Sequence, residues 1–96
     1  MLTRPGLILN RETQEKTAIT FTIEQPIEQD NGANFSCICE IEGISDTRSE
    51  IWGLDSLQAV ELGMQYLQVM FDSYSEDNEF QYLDGTTMDS LITQQL

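Results

Sequence analysis

The sequence predicts a single α+β domain in which an antiparallel meander of three to four strands packs on one long helix, followed by a short C-terminal helix. Three observations predict this class. The first half of the chain alternates apolar and polar residues with a period of two, a long proline-free helical pattern begins near residue 55, and the 96-residue length suits one hydrophobic core. We therefore expect residues 1–96 to form one domain.

The alternation is clearest in two of the expected strands, at residues 17–24 and 35–42. Ile19, Phe21 and Ile23 alternate with polar residues in the first of them, and Cys37 and Cys39 share one phase of the second. Less regular strands are expected at residues 7–12 and 46–52. Proline 26 should stop the ladder, and residues 29–34 should form a turn. The product is a sheet with one dry face and one wet, acidic face.

The helix is expected over residues 56–74. Asp55 is a good N-cap, and Gln58 stands three residues later, which is the spacing of a capping box. Around the helix we expect one apolar stripe along residues 57, 60, 64, 67, 71 and 74, and a second apolar flank along residues 59, 62, 66 and 69. Either a C-terminal helix over residues 88–95 or a second copy of the chain should cover that flank.

Charge is the unusual feature of the composition. Seventeen acidic residues stand against four basic ones, for a formal net charge of −13. Nucleic acid and anionic membrane surfaces are therefore poor partners, since both require clustered Lys and Arg. The acidity serves either solubility alone or recognition of a basic partner, and the composition leaves both open. Residues 1–6 have no apolar run of signal-peptide length, so a cytoplasmic location is expected.

The residue types for catalysis are missing. The chain has no histidine, Lys16 is its only lysine, and its six glycines are scattered one per junction rather than grouped in a phosphate loop. Cys37 and Cys39 point to the same strand face, a poor geometry for a mutual disulfide, and are interpreted as small buried hydrophobes. The acidic residues 72–84 lack the central glycine of a calcium loop. We expect no enzyme, no cofactor and no metal site.

Eight carboxylates are the candidate contacts for a basic partner. Three lie in an acidic stretch expected to be a loop, three at outward positions of strands, and two near the turn at residues 29–34. They are, in that order, Glu76, Asp77, Glu79, Glu24, Glu40, Glu42, Glu28 and Asp30.

The helix start carries a resemblance. The residues Gly-Leu-Asp-Ser-Leu-Gln-Ala at positions 53–59 resemble a Gly-x-Asp-Ser-Leu-Gln-Ala strand-to-helix motif of small bacterial proteins. Proteins of this kind occur beside polymorphic or contact-dependent toxins, where small acidic α+β proteins serve as immunity factors. The resemblance implies an immunity protein that neutralises a basic toxin domain, for example a nuclease, by direct binding. The alternative is a homo-oligomeric structural or adaptor domain, a homodimer through the wide apolar helix face.

Overall fold

The computed structural model describes residues 1–92 of the chain. It is an α+β structure with one antiparallel sheet of six strands and one helix among those residues. In chain order the elements are β1 (Leu2–Asn10), β2 (Lys16–Ile23), β3 (Ile27–Gln29), β4 (Asn34–Glu42), β5 (Ser49–Gly53), α1 (Ser56–Tyr74) and β6 (Asn78–Gln81).

Strands β1, β2, β4 and β5 form a meander, β3 continues the line of β2 along the same side of β4, and β6 returns to pair with the far side of β1. Because β4 pairs with β2 and β3 on one side and with β5 on the other, the spatial order runs from β5 at one edge to β6 at the other. The helix connects these two edge strands and therefore has to cross the sheet. It packs mainly on β4 and β5 and touches β2 less.

The sheet has more strands than the three to four predicted, and Pro26 shows why. The prediction that this proline ends the ladder was wrong, because pairing with β4 resumes at Ile27. Ile23 pairs with Cys39 and Ile27 with Ser36, so four steps along β2 and β3 oppose three along β4. That one-residue excess is a β-bulge, where a residue without an N–H is tolerated. The turn shortens to residues 30–33, with Asn31 at φ 57°.

Strand β1 also starts earlier than predicted, at Leu2 instead of residue 7. Pro5 lies inside it, opposite Thr20 of β2. Because β6 pairs with β1 only from Leu7 onward, β1 has a paired neighbour on one side only at Pro5, and proline is tolerated there. Strand β6 adds the sixth strand, with Phe80 buried opposite Ile8.

The core lies between the sheet and α1, where the inward phase of β2 and β4 meets the helix. Three aromatic rings join different elements in it: Phe21 of β2, Phe71 of α1 and Phe80 of β6, with centroids 4.5 to 6.2 Å apart. The inward phases of β2 and β4 agree with the prediction.

The helix begins as predicted but is rotated relative to the predicted stripe. Asp55 caps it, with its carboxylate accepting from the Gln58 amide at 2.7 Å. Its fully buried line is Ala59, Gly63, Leu67 and Phe71, whereas Leu57, expected in the core, is 76% exposed. The small residues of the buried line let the helix backbone approach the sheet closely.

The predicted C-terminal helix is not found in the described residues, and residues 93–96 lie outside them. Residues 86–92, which we call the tail, have no helical turn. The reason is that the amides of Leu91 and Ile92 donate to the side-chain oxygen of Gln68, at 3.0 and 2.8 Å, instead of to carbonyls within a helix. Met88 and Leu91 are buried nonetheless.

Up to residue 92, the C-terminal segment does not cover the second helix flank, contrary to one of the two expectations. Tyr66 donates its hydroxyl to the carbonyl of Thr47, so the connection between β4 and β5 covers it. The tail binds at Gln68, about 200° around the helix from Tyr66. Val69 stays 64% exposed.

Candidate functional site

The sheet face turned away from α1, here called the outer face, carries most of the strand-borne acids. Its residues are the even-numbered ones of β2, β4 and β5, since the odd-numbered ones point into the core. The predicted contacts Glu24, Glu40 and Glu42 all lie on it, and Glu42 stands opposite Thr20. The sequence thus placed this group correctly.

One arginine organises the centre of the outer face. The guanidinium of Arg48 lies 3.0 Å from the carboxylate of Glu40 and 3.3 Å from that of Glu24. The Arg48 side chain is 57% exposed, so solvent weakens both ion pairs and their contribution to stability is small. Their effect is positional, because they hold two carboxylates side by side on neighbouring strands.

An apolar strip adjoins this acidic group. Ile27, Ser36 and Trp52 face one another across three strands, and Ile38 and Glu50 form the next row. Trp52 is 48% exposed and Ile27 is 62% exposed. Together with the Arg48 group these residues form what we call the outer patch: Glu24, Ile27, Ser36, Ile38, Glu40, Arg48, Glu50 and Trp52.

A buried serine positions the remaining carboxylate of the patch. Ser36 is 2% exposed, and its hydroxyl donates to Glu50 at 3.0 Å while accepting from the side-chain amide of Gln29 at 3.0 Å. Glu50 is thereby held beside Ile38, one row from Trp52. An exposed indole with a fixed carboxylate one row away suits a cationic side chain, which the ring attracts through cation–π contact and the carboxylate through charge.

Two of the predicted acids lie at the β3–β4 turn. Glu28 pairs with Phe35, in the opposite phase to Ile27, and is therefore outside the outer patch. Asp30 sits in the turn, where its carboxylate accepts from the Asn34 side chain at 3.1 Å. Both are exposed.

The other three predicted acids lie at the opposite edge of the sheet. Glu76 and Asp77 are exposed in the connection after α1, where Arg11 donates to the carbonyl of Glu76 at 3.3 Å. Glu79 was expected in a loop, but it belongs to β6, because the pairing with β1 begins at Asn78. Its carboxylate accepts from Gln81 at 2.6 Å. The eight acids therefore form three separate groups.

Sequence reasoning missed Glu50 and Trp52 as site residues, although a signal was present. In the strand predicted at residues 46–52, the alternation places Arg48, Glu50 and Trp52 on one face. The face became identifiable as the outer one only through the pairing of Ile51 with Cys37, which puts Ile51 in the core phase.

The two thiols lie on the core side of the sheet and are unreactive. Cys37 and Cys39 are free and buried, with sulfur atoms 3.8 Å apart. Burial raises the pKa of Cys39 to about 12 and also raises the pKa of Cys37, so both are neutral thiols near pH 7. Within residues 1–92, no three acidic or thiol side chains are grouped so that they could share a metal ion. No helix in the same range is long and apolar enough to cross a membrane.

Comparison with known proteins identifies one family. The model of a domain of unknown function, DUF6968, matches residues 4–88, a segment that includes the sheet, α1 and the outer patch. No curated protein and no solved structure matches the chain.

Proposed function

The chain belongs to the DUF6968 family, and we propose that it is a non-catalytic bacterial immunity protein that neutralises a basic toxin domain by direct binding. The observation that carries the proposal is the outer patch, in which an exposed Trp52 lies one row from Glu50, and Arg48 and Ser36 hold three carboxylates in place on the same face. A cytoplasmic location, where the toxin would act, is part of the proposal.

The patch contains one residue of a type that is enriched at the centre of protein interfaces, Trp52. Partly exposed tryptophan is among the residues that contribute most to binding when a partner covers it. Glu50 lies one row from it, and Glu24 and Glu40, paired with the one cation Arg48, lie farther along the same face, so the patch carries three negative charges against one positive. A nuclease presents positive potential to bind phosphates, and an acidic surface therefore competes for the same region.

The acids outside the patch have a different role in the proposal. Glu42, Glu28 and Asp30 border it, while Glu76, Asp77 and Glu79 lie at the far edge of the sheet. These groups add to a net charge of −13, which attracts a basic domain over a distance and raises the association rate.

The alternative, a homodimer through the apolar helix face, has less support. Leu57 and Val69 are the strongly exposed apolar residues of α1. They are separated by about 18 Å along the helix axis and by about 120° around it. Two isolated side chains do not make the continuous apolar stripe that a helical dimer interface needs.

The decisive experiment uses the gene neighbourhood. The C-terminal domain of a secreted protein encoded beside this chain should arrest growth when expressed alone in a bacterial host, and co-expression of this chain should restore growth. The purified proteins should form a complex, and the association rate should fall by about tenfold or more between 50 and 500 mM salt, because salt screens the steering field. Persistent growth arrest despite equal expression would refute the immunity function.

Variants locate the surface within that experiment. Trp52→Ala should weaken binding by about 2 kcal/mol or more, as expected for a central aromatic contact, and Leu83→Ala, which trims an exposed side chain elsewhere, is its control. Reversing Glu42 and Glu50 to Lys should lower the association rate more than reversing Glu12 and Glu15 in the β1–β2 turn, a control that changes the net charge by the same amount. A rate that ignores both salt and the reversal of Glu42 and Glu50 would mean that the acidity serves solubility.

A further inference from the structure

A cavity of about 230 Å³ lies on the core side of the sheet, between β1, β2, α1 and the tail. Apolar side chains from these elements line it, including Phe21, Met64, Leu67 and Leu91. Phe21 and Leu67 are at most 3% exposed, so the inner wall is closed. The cavity is separate from the outer patch, which lies on the opposite face of the sheet.

Arg4 is the charged residue at this cavity, and its environment is unusual for this chain. Its guanidinium donates to the Leu91 carbonyl at 2.8 Å and lies 5.9 Å from the Tyr82 ring. Within residues 1–92 the ion pairs are those of Arg48, so Arg4 has no carboxylate partner there despite seventeen acids in the chain. The terminal nitrogen that donates to Leu91 also contacts the Met88 sulfur at 3.9 Å, and since a guanidinium has five N–H donors, its other nitrogens are left able to bind an anion.

We propose that this cavity binds a small apolar carboxylate, with the carboxylate on Arg4 and the apolar part among Phe21, Leu67 and Leu91. Size sets the ligand class. A dry cavity of about 150 Å³ accommodates benzene, so one of this volume holds a ligand of roughly eight to ten non-hydrogen atoms. The guanidinium sets the head group, because its planar donors match a carboxylate in a bidentate pair. This inference does not depend on the proposed immunity function.

The net negative charge makes a preference for an anionic ligand a stringent test of the proposal. A chain with a net charge of −13 repels anions at a distance. A preference for a carboxylate over an alcohol of the same length therefore has to come from a local cation, and Arg4 is the one at the cavity.

The test compares heptanoate with heptan-1-ol on the full chain by calorimetry. Heptanoate should bind once per chain with a Kd between about 10 µM and 1 mM, which lies well within the ligand-efficiency ceiling for nine heavy atoms. Heptan-1-ol should bind at least about fivefold more weakly, since it lacks the charge-assisted pair. Methyl NMR signals of Leu67 and Leu91 should shift during the heptanoate titration.

Variants separate the head-group site from the cavity. Arg4→Gln should remove the preference for heptanoate, Arg4→Lys should keep part of it, and Met64→Phe should weaken both ligands by filling the cavity. Arg11→Gln is the matched control, because Arg11 is an exposed arginine that donates to backbone carbonyls elsewhere. Thermal melts of each variant check folding, and Arg4→Lys keeps the test valid if Arg4→Gln is unstable.

Three results would overturn the proposal. Equal affinity for the alcohol and the acid would show that Arg4 selects no anion, and shifts confined to residues outside the cavity would place the ligand elsewhere. Binding that occurs only after residues 93–96 are deleted would mean that the cavity is a site for those residues and not for a ligand.

Discussion

Gly63 tests the packing of α1 on the sheet, because a single methyl group there has two opposing effects. A Cβ at this position would lie 2.6 Å from the sulfur of Cys39 and 3.4 Å from that of Cys37. Cys39 is fully buried, so its sulfur has no free space to move into. Gly63→Ala gains about 1 kcal/mol of helix propensity but incurs an overpacking cost of about 1–3 kcal/mol. We expect a net loss of stability of up to about 2 kcal/mol.

The double variant reveals the cause. Cys39→Ala removes the clashing sulfur and should itself cost about 1 kcal/mol, because it leaves a small cavity. In that background Gly63→Ala should become stabilising by about 1 kcal/mol, since the propensity gain remains and the methyl group fills the space. The coupling energy between the two positions should therefore be about 1–3 kcal/mol, within the range found for residues in contact.

Urea unfolding followed by circular dichroism measures these changes. A shift of about 1 kcal/mol corresponds to a midpoint shift of roughly 0.5–1 M for a small domain. Gln65→Ala, at an exposed helix position two residues away, should change stability by no more than about 0.5 kcal/mol and serves as the control. If Gly63→Ala stabilised the wild-type chain as much as the Cys39→Ala chain, the helix would not approach the sheet at this point.

Three further predictions concern the cap, the tail and the thiols. Asp55→Ala should cost about 1 kcal/mol in a urea melt, and Glu61→Ala no more than about 0.5 kcal/mol; equal losses would contradict the helix start. Gln68→Met should speed amide exchange at Leu91 by removing the acceptor that holds the tail, and unchanged exchange would show that the tail is held by other contacts. Because the pKa of Cys39 is raised from 9.0 to about 12, the unfolded chain loses this proton first, so the associated stability is complete below pH 9 and is lost between pH 9 and 12. Cys39→Ala should flatten the fall in urea-melt stability over that range, and an unchanged slope would contradict the raised pKa.

Local signals in the sequence were reliable. Asp55 and Gln58 placed the helix start correctly, because a cap depends on side chains within three residues of the amides that they bind. The inward phase of β2 and β4 was also correct, since a period of two leaves one choice of face once apolar residues such as Phe21 mark it.

Structural features that depend on partners distant in sequence could not be predicted from the sequence. Strand β3 exists because β4 offers Ser36 and its neighbours for pairing, and a three-residue segment after Pro26 carries no pattern of its own. The tail would be expected to form a helix by its apolar spacing, yet Gln68 captures its amides from 23 residues away. The prediction of which helix face is buried was wrong for a related reason. Apolar periodicity weights large side chains, whereas Ala59 and Gly63 occupy the contact line because they are small.

Trp52 is exposed because the opposite orientation of β5 would cost more free energy, and the order of residues along the strand predicts this difference. Turning β5 over would bury the indole but would also bury Arg48 and Glu50, and each unpaired charge costs several kcal/mol to desolvate. Leaving about half of the indole in water exposes roughly 100 Å² of apolar surface and forgoes about 2.5 kcal/mol. The observed orientation of β5 therefore has the lower free energy. A partner that covered the ring would recover that free energy, and the neighbouring carboxylate of Glu50 would favour one that carries positive charge.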